Sequence, residues 1–192
     1  SLIAPRDALT VQRILKVNHA GEYGAIRIYR SQIAVAKRRC ADVVPHLEHM
    51  LEHEIEHCRV FRDAMPARMA RPCRVMSFWS LGGSVLGFVT AAMGRQAIWT
   101  CTAAVESAGH RHLDDQLHFL SDKDRELHAA ILSIREEELS HLKTAEDHLE
   151  GTTNLRSALR GVISTATDAM IWLSTWGDST RMARDLRTGA PA

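Results

Sequence analysis

Two short segments pair a carboxylate with an imidazole at helical spacing: Glu54-Ile55-Glu56-His57 and Glu138-Leu139-Ser140-His141. With 11 His in 192 residues and a similar number of Glu, roughly 0.7 such pairs arise by chance. Residue type alone therefore decides little, but the spacing decides more. The two pairs lie 84 residues apart (138 − 54), and Glu22 and Glu106 lie 84 apart as well (106 − 22). Each lone Glu precedes its pair by 32 residues (54 − 22 and 138 − 106), and Gln32 and Gln116 keep the same offset from the lone Glu. On a helix, residues i and i+3 stand side by side, so Glu54 and His57 can grip one ion, as can Glu138 and His141. Carboxylate oxygens and imidazole nitrogens suit divalent first-row metals, and a carboxylate can bridge two of them. Four carboxylates carry −4, which two divalent ions neutralise, and buried charges need such pairing. The pattern therefore points to a two-metal site at Glu22, Glu54, His57, Glu106, Glu138 and His141.

Helices must position these residues. The sequence lacks alternating apolar runs and Asn-Gly or Asp-Gly turns, so strands are not expected. Six helices are expected. The first runs from Thr10 to Arg39, with Leu15, Glu22, Ile26, Tyr29 and Ile33 on one face. The second starts near Asp42 as N-cap, has Pro45 in its first turn and ends before Pro66. A linker covers Pro66 to Pro72. A very apolar third helix reaches Met93, and a fourth runs from Arg95 to Leu120. The fifth opens on Ser121 with Asp122 and Asp124 behind it and stops at Gly151. The sixth spans Leu155 to Trp176. Each half then supplies one helix with a lone Glu and one with Glu-x-x-His. This is the ligand set of ferritin-like bundles. The expectation is one all-α domain over 1–192 with its core at 9–176. It is a four-helix bundle with an internal pseudo-two-fold repeat of halves 9–94 and 95–176, two additional helices, and a loose basic tail at 177–192.

Several titratable residues fall outside this set. His112 and His148, within two turns of predicted ligands, are candidates to line the site or pass electrons to it. His49, His53, His110, His118 and His128 are expected on the surface. Glu48, Glu52, Glu56, Glu136, Glu137, Glu146 and Glu150 are expected there or in support of the ligands. The four cysteines form no C-x-x-C pair. That spacing excludes thiolate zinc and rubredoxin-type iron sites and fits reduced, buried thiols.

The segment Val17-Asn18-His19-Ala20-Gly21-Glu22-Tyr23-Gly24-Ala25 closely resembles the D-H-A-G-E-Y-G-A signature of the demethoxyubiquinone hydroxylases. Cys101 to Glu106, Glu137 to His141 and Ile171 to Ser174 resemble the same family, so the likeness runs from Leu9 to Ser174. It implies a di-iron monooxygenase that hydroxylates the ring of a polyprenyl demethoxyubiquinone or its quinol late in ubiquinone biosynthesis, with O₂ and electrons from NADH or another reductant. It also implies iron over manganese, with Glu54 and Glu106, or Glu22 and Glu138, as the bridging carboxylates. Two positions depart from the family. Asn18 replaces the usual Asp, and Leu113 stands where some members have a Tyr proposed to assist electron transfer.

Between Arg74 and Glu106 the only charge is Arg95, and Val75 to Gly94 carries none. Length permits a membrane span. A span would, however, put the two half-sites on opposite sides of the bilayer. Two readings are then open, a buried core helix and a helix lying in the membrane interface, the latter with Arg68, Arg71 and Arg74 near lipid headgroups. The resemblance supports the second, since a polyprenyl tail would stay in lipid while the ring enters the site. The implied protein is monotopic, on the cytoplasmic face of a bacterial inner membrane or the matrix face of a mitochondrial one. No targeting pattern opens the sequence, which favours the bacterial case. A homo-oligomer, a ubiquinone-biosynthesis complex or a lipid-binding accessory protein are expected partners. The net charge of +1 gives no reason to expect nucleic acid. The competing functions are ferritin-like iron storage and a peroxidase; the first leaves the apolar segment unexplained, and the second lacks its usual Cys-based electron-transfer domain.

Overall fold

The computed structural model describes residues 3–151 and 153–188. Every regular element among them is helical. The α-helices are α1 (Pro5–Arg39), α2 (Val44–Ala64), α3 (Met76–Met93), α4 (Arg95–His110), α5 (Leu113–Leu120), α6 (Arg125–Asp147), α7 (Asn154–Ser174) and α8 (Asp178–Thr188). Short 3₁₀ turns cover Ala41–Val43 and Pro66–Arg68. Helices α1, α2, α4 and α6 form a ferritin-like four-helix bundle. Helix α3 lies along the outside of α1, α7 lies along α4, and the two outer helices touch each other.

The core forms where the apolar faces meet. Ile14, Leu15, Phe61, Leu120, Leu127 and Ile131 fill one end of the bundle. Tyr29, Leu47, Met50, Ile98 and Trp99 fill the other. The ligand positions lie between these two clusters.

Helix ends differ in detail from the sequence expectation, for local reasons. Asp42 does not cap α2. It sits in the 3₁₀ turn, where Arg95 holds it at 2.7 and 2.8 Å. Asp124, not Ser121, caps α6, accepting from Leu127 N at 3.0 Å. Arg68 clamps the same carboxylate through two nitrogens, at 2.6 and 2.9 Å. Arg68 is therefore tied into the bundle and does not face lipid. The expected single helix 95–120 breaks at Arg111 and His112, just after Gly109, a weak helix former. Helix α6 ends at Asp147, and Gly151 takes the left-handed conformation three residues past its C-cap.

The segment after Gly177 is not loose up to Thr188: it forms α8. Met182 and Leu186 are buried against Val11, Ile14 and Leu15. The charges that read as solvated are paired across the interface, Asp178 with Lys16 at 2.6 Å and Asp185 with Arg13 at 2.7 Å. Residues 189–192 lie outside the described residues.

Helix α3 departs most from an ordinary surface helix. Its inner stripe is made of small residues that allow backbone-to-backbone approach. A Cβ on Gly83 would stand 2.9 Å from the Gly24 carbonyl oxygen, and one on Gly87 would overlap the Ile28 carbonyl oxygen. Ser31 Oγ donates to the Ser84 carbonyl at 2.7 Å, and Gln32 Nε2 donates to Thr90 Oγ1 at 3.0 Å. A Cβ on Gly24 would stand 3.1 Å from the Trp79 ring. The outer stripe, Phe78, Leu81, Val85 and Phe88, is 53–64% exposed. Among the described residues α3 is the one helix long and apolar enough to cross a membrane. Its seating along α1 makes it instead a helix with one face on protein and one face free.

Close packing of this kind predicts a steep local cost. Gly87→Ala should destabilise the fold by about 1–3 kcal/mol through overpacking. Gly161→Ala, where a Cβ meets nothing within 4 Å, should be neutral or stabilising by up to about 1 kcal/mol. Thermal unfolding of the two variants checks both; equal melting temperatures would contradict the close approach of α3 to α1.

Candidate metal centre

Each bundle helix turns its ligand positions toward the same point. Glu22 comes from α1, Glu54 and His57 from α2, Glu106 from α4, and Glu138 and His141 from α6. All six are 2–8% exposed. They form two groups whose ligand atoms lie within 4.8 Å of one another: Glu22, Glu54 and His57 in one, and Glu54, Glu106 and His141 in the other. His57 Nδ1 stands 3.7 Å from Glu22 Oε2. His141 Nδ1 stands 3.3 Å from Glu54 Oε1 and 3.4 Å from Glu106 Oε1. Glu54 belongs to both groups, and Glu138 closes the cluster beside Glu22, Glu54 and Glu106.

The electrostatics fit a site for cations. Four carboxylates share the interior, and no Lys or Arg ion pair reaches any of them among the described residues. Burial raises the Glu54 and Glu138 carboxyls well above the ordinary range, and the neighbouring carboxylates push them higher. Burial likewise raises Glu22, although a hydrogen bond with Glu54 partly offsets it. Burial acts to lower His141, yet Glu106 and Glu54 outweigh it and carry the imidazole to about 10. Glu54 Oε1, Glu138 Oε2, His57 Nδ1 and His141 Nδ1 have no hydrogen-bond partner although fully enclosed. Buried polar atoms without partners are costly. Oxygen and nitrogen atoms left open toward one point are what divalent ions require, so the donor set fits two metals.

The outward sides of the two imidazoles are held by Glu137, expected on the surface or in support of the ligands, and by His53. His57 Nε2 lies 3.0 Å from Glu137 Oε2, and His141 Nε2 lies 2.9 Å from His53 Nδ1. With Nε2–H donated outward, each ring in its neutral form turns its Nδ1 lone pair inward. His53, expected on the surface, is instead half-buried and stacked on His141. Tyr29 donates its hydroxyl to Glu106 Oε1 at 2.6 Å. Two signals were available for these residues. Tyr29 is seven after Glu22 on the same face, and His53 and Glu137 each immediately precede a ligating Glu.

Next to the carboxylates lies a cavity of about 540 Å³. Glu22, Glu54, Glu106 and Glu138 edge it on one side, and Ile28, Trp79, Ile171 and Trp172 supply apolar wall from α1, α3 and α7. Asn18 and Gln116 add a polar margin and pair their amides reciprocally, at 2.8 and 3.1 Å. His112 and Leu113 line the same cavity. Burial, then Arg111, lowers the His112 imidazole. His148 is not brought to the site: it stacks on Trp99 at 4.6 Å and meets His46 at 4.9 Å. Burial pushes the Cys58 thiol up to about 11 and the Cys101 thiol up to about 12, which favours the neutral thiol at both.

Known proteins share this arrangement of sequence. Residues 9–174 match the family described as ubiquinone biosynthesis protein COQ7. The 3-demethoxyubiquinol 3-hydroxylase of Rhodospirillum rubrum is 37% identical over 170 residues, 88% of this chain and 80% of that protein. The mouse NADPH-dependent mitochondrial 3-demethoxyubiquinone 3-hydroxylase is 36% identical over 168 residues, 85% of this chain and 76% of that protein. The mitochondrial 5-demethoxyubiquinone hydroxylase of Saccharomyces cerevisiae is 30% identical, covering 76% of this chain and 69% of its own length. The match to the family covers all six clustered ligand positions, from Glu22 to His141, and on this evidence the chain belongs to the COQ7 family of ubiquinone biosynthesis proteins.

Proposed function

We propose that this protein is a di-iron monooxygenase that hydroxylates the ring of a polyprenyl demethoxyubiquinone or its quinol. One observation carries the reading: four buried carboxylates and two imidazoles converge beside an apolar cavity large enough for a substituted ring. The relatives' names supply the substrate class. Glu22, Glu54, His57, Glu106, Glu138 and His141 would hold two iron ions, with Glu54 suited to bridge because it belongs to both ligand groups. When bound, iron supplies the activation of O₂; one oxygen atom enters the ring and the other leaves as water. The oxygen enters a ring C–H bond, and the balance needs two electrons and two protons, for which a nicotinamide with one proton from solvent is the donor. The resemblance implies NADH, and the mouse relative's name gives NADPH. His112, at the cavity, stays a candidate on the electron route, whereas His148 does not.

The chain's own residues do the rest. Ile28, Trp79 and Trp172 exclude water and confine the ring. The Asn18 and Gln116 amides offer donors and acceptors to the ring oxygens. Tyr29 holds Glu106, and Glu137 and His53 hold the imidazoles in the tautomer that leaves Nδ1 free.

The substrate's polyprenyl tail explains the outer helices. The free stripe of α3 and the exposed Val162, Trp172, Leu173 and Trp176 of α7 and its end present apolar surface beside the cavity. Such a surface suits a helix pair resting in one leaflet, with Arg71 and Arg74 toward the headgroups. The protein would then be monotopic, on the cytoplasmic face of a bacterial inner membrane or the matrix face of a mitochondrial one. One domain, expected over 1–192, with two related halves, 9–94 and 95–176, accommodates this arrangement. The same apolar surface argues against a ferritin-like storage role, which needs a hydrophilic exterior.

Two measurements test these readings. In cells lacking the protein, demethoxyubiquinone should accumulate. Wild type should clear it, and Glu138→Ala should fail by at least about a hundredfold in rate, because removing a ligand removes the site. Normal ubiquinone without the protein would contradict the assignment. In sedimentation with phospholipid vesicles, Leu81→Ser with Phe88→Ser should lower the bound fraction by about tenfold or more, given about 1.5–3 kcal/mol for each buried side chain. Unchanged binding would contradict the α3 face as the contact.

A further inference from the structure

The 84-residue register pairs residues around the site, and two of those pairs are chemically unlike. Glu137 corresponds to His53 (137 − 53), and Leu113 corresponds to Tyr29 (113 − 29). In each pair at least one member touches one of the six ligand residues. On one side, the Glu137 carboxylate accepts from His57 Nε2–H at 3.0 Å. On the other, His53 offers only an imidazole nitrogen to His141, at 2.9 Å. Glu137 also stands 3.5 Å from His53 Nδ1, at the edge of hydrogen-bond reach, so its charge acts mainly through His57. Tyr29 draws charge from Glu106 with a 2.6 Å hydrogen bond. Leu113, its counterpart, has no donor to offer Glu22.

We propose that the two metal positions differ in affinity. The one bounded by Glu22, Glu54 and His57 binds a divalent ion more tightly than the one bounded by Glu54, Glu106 and His141. This rests on the di-metal reading above and adds an order of filling to it. The physical argument is that a carboxylate behind a ligating imidazole makes it a stronger donor, and loss of such a partner typically costs about 10–100-fold in metal affinity. A phenol bonded to a ligating carboxylate acts in the opposite sense, since it competes for the lone pairs that the metal needs. Both differences favour the His57 side. Glu137 and Tyr29 are thus positioning and tuning residues: neither is counted among the six ligands, and each acts through one of them.

The test is an anaerobic titration of the metal-free protein with ferrous ion, followed by calorimetry and by Mössbauer spectroscopy of ⁵⁷Fe. Wild type should take up two ions in steps separated by about tenfold or more, with one quadrupole doublet filling before a second. Glu137→Gln keeps an oxygen to accept from His57 and removes the charge. It should weaken the tighter step by about tenfold and leave the other unchanged, and Glu137→Asp should restore the separation. Tyr29→Phe should strengthen the weaker step alone. Two equal steps in wild type, or a Glu137→Gln variant that weakens both steps alike, would overturn the proposal. Uptake of fewer than two ions by wild type would remove the di-metal reading and this proposal with it; two ions without separation would remove this proposal alone.

Discussion

Four carboxylates packed into one apolar interior repel each other, and that repulsion is the constraint from which the rest of the structure follows. Glu22, Glu54, Glu106 and Glu138 are 2–8% exposed, and each comes from a different helix. Burial raises the Glu22, Glu54 and Glu138 carboxyls well above the ordinary range, and the neighbouring carboxylates push them the same way. Two divalent ions would balance the charges and tie the four helices at one point. The bundle is therefore built around its site. Tightly packed clusters above and below, centred on Phe61 and Trp99, hold the helices in place while the middle layer remains polar.

The same constraint organises the surroundings. A site of this kind must be closed to bulk water and open to an apolar substrate. Helix α3 serves both needs because Gly83 and Gly87 bring it into backbone contact with α1, placing Trp79 as a wall of the cavity. The spacing that sends small residues inward sends Phe78, Leu81, Val85 and Phe88 outward. Helix α8 seals another side with Met182 and its ion pairs to α1. One set of helices thus confines the chemistry and presents an apolar surface beside it.

Much of the cluster was legible in the sequence because residues that converge from several helices need rigid spacing. Glu-x-x-His places two ligands on one face of one helix, and the repeat at 84 residues exposed the lone Glu22 and Glu106 among the remaining Glu residues. The all-helical class was equally plain. Residues that act through other residues were not legible. Tyr29 could be assigned to the right face, but nothing in its neighbourhood says that its hydroxyl meets Glu106. His53 and Glu137 look like surface charges until α2 and α6 are set side by side, since each reaches the ligand of the opposite helix. Helix α8 was missed because its charges outnumber its two apolar anchors, and the partners of those charges lie more than 160 positions away in α1. His148 was drawn toward the site by sequence proximity, yet it packs on Trp99 at the far end of the bundle.

The central claim is that the six clustered residues hold a pair of metal ions that share Glu54. Anomalous X-ray diffraction at the iron absorption edge, on crystals grown anaerobically with ferrous ion, tests it directly. The account predicts two iron peaks about 3.5–4 Å apart, one against His57 and one against His141, with Glu54 touching both. A single peak, or iron bound only elsewhere, would contradict it.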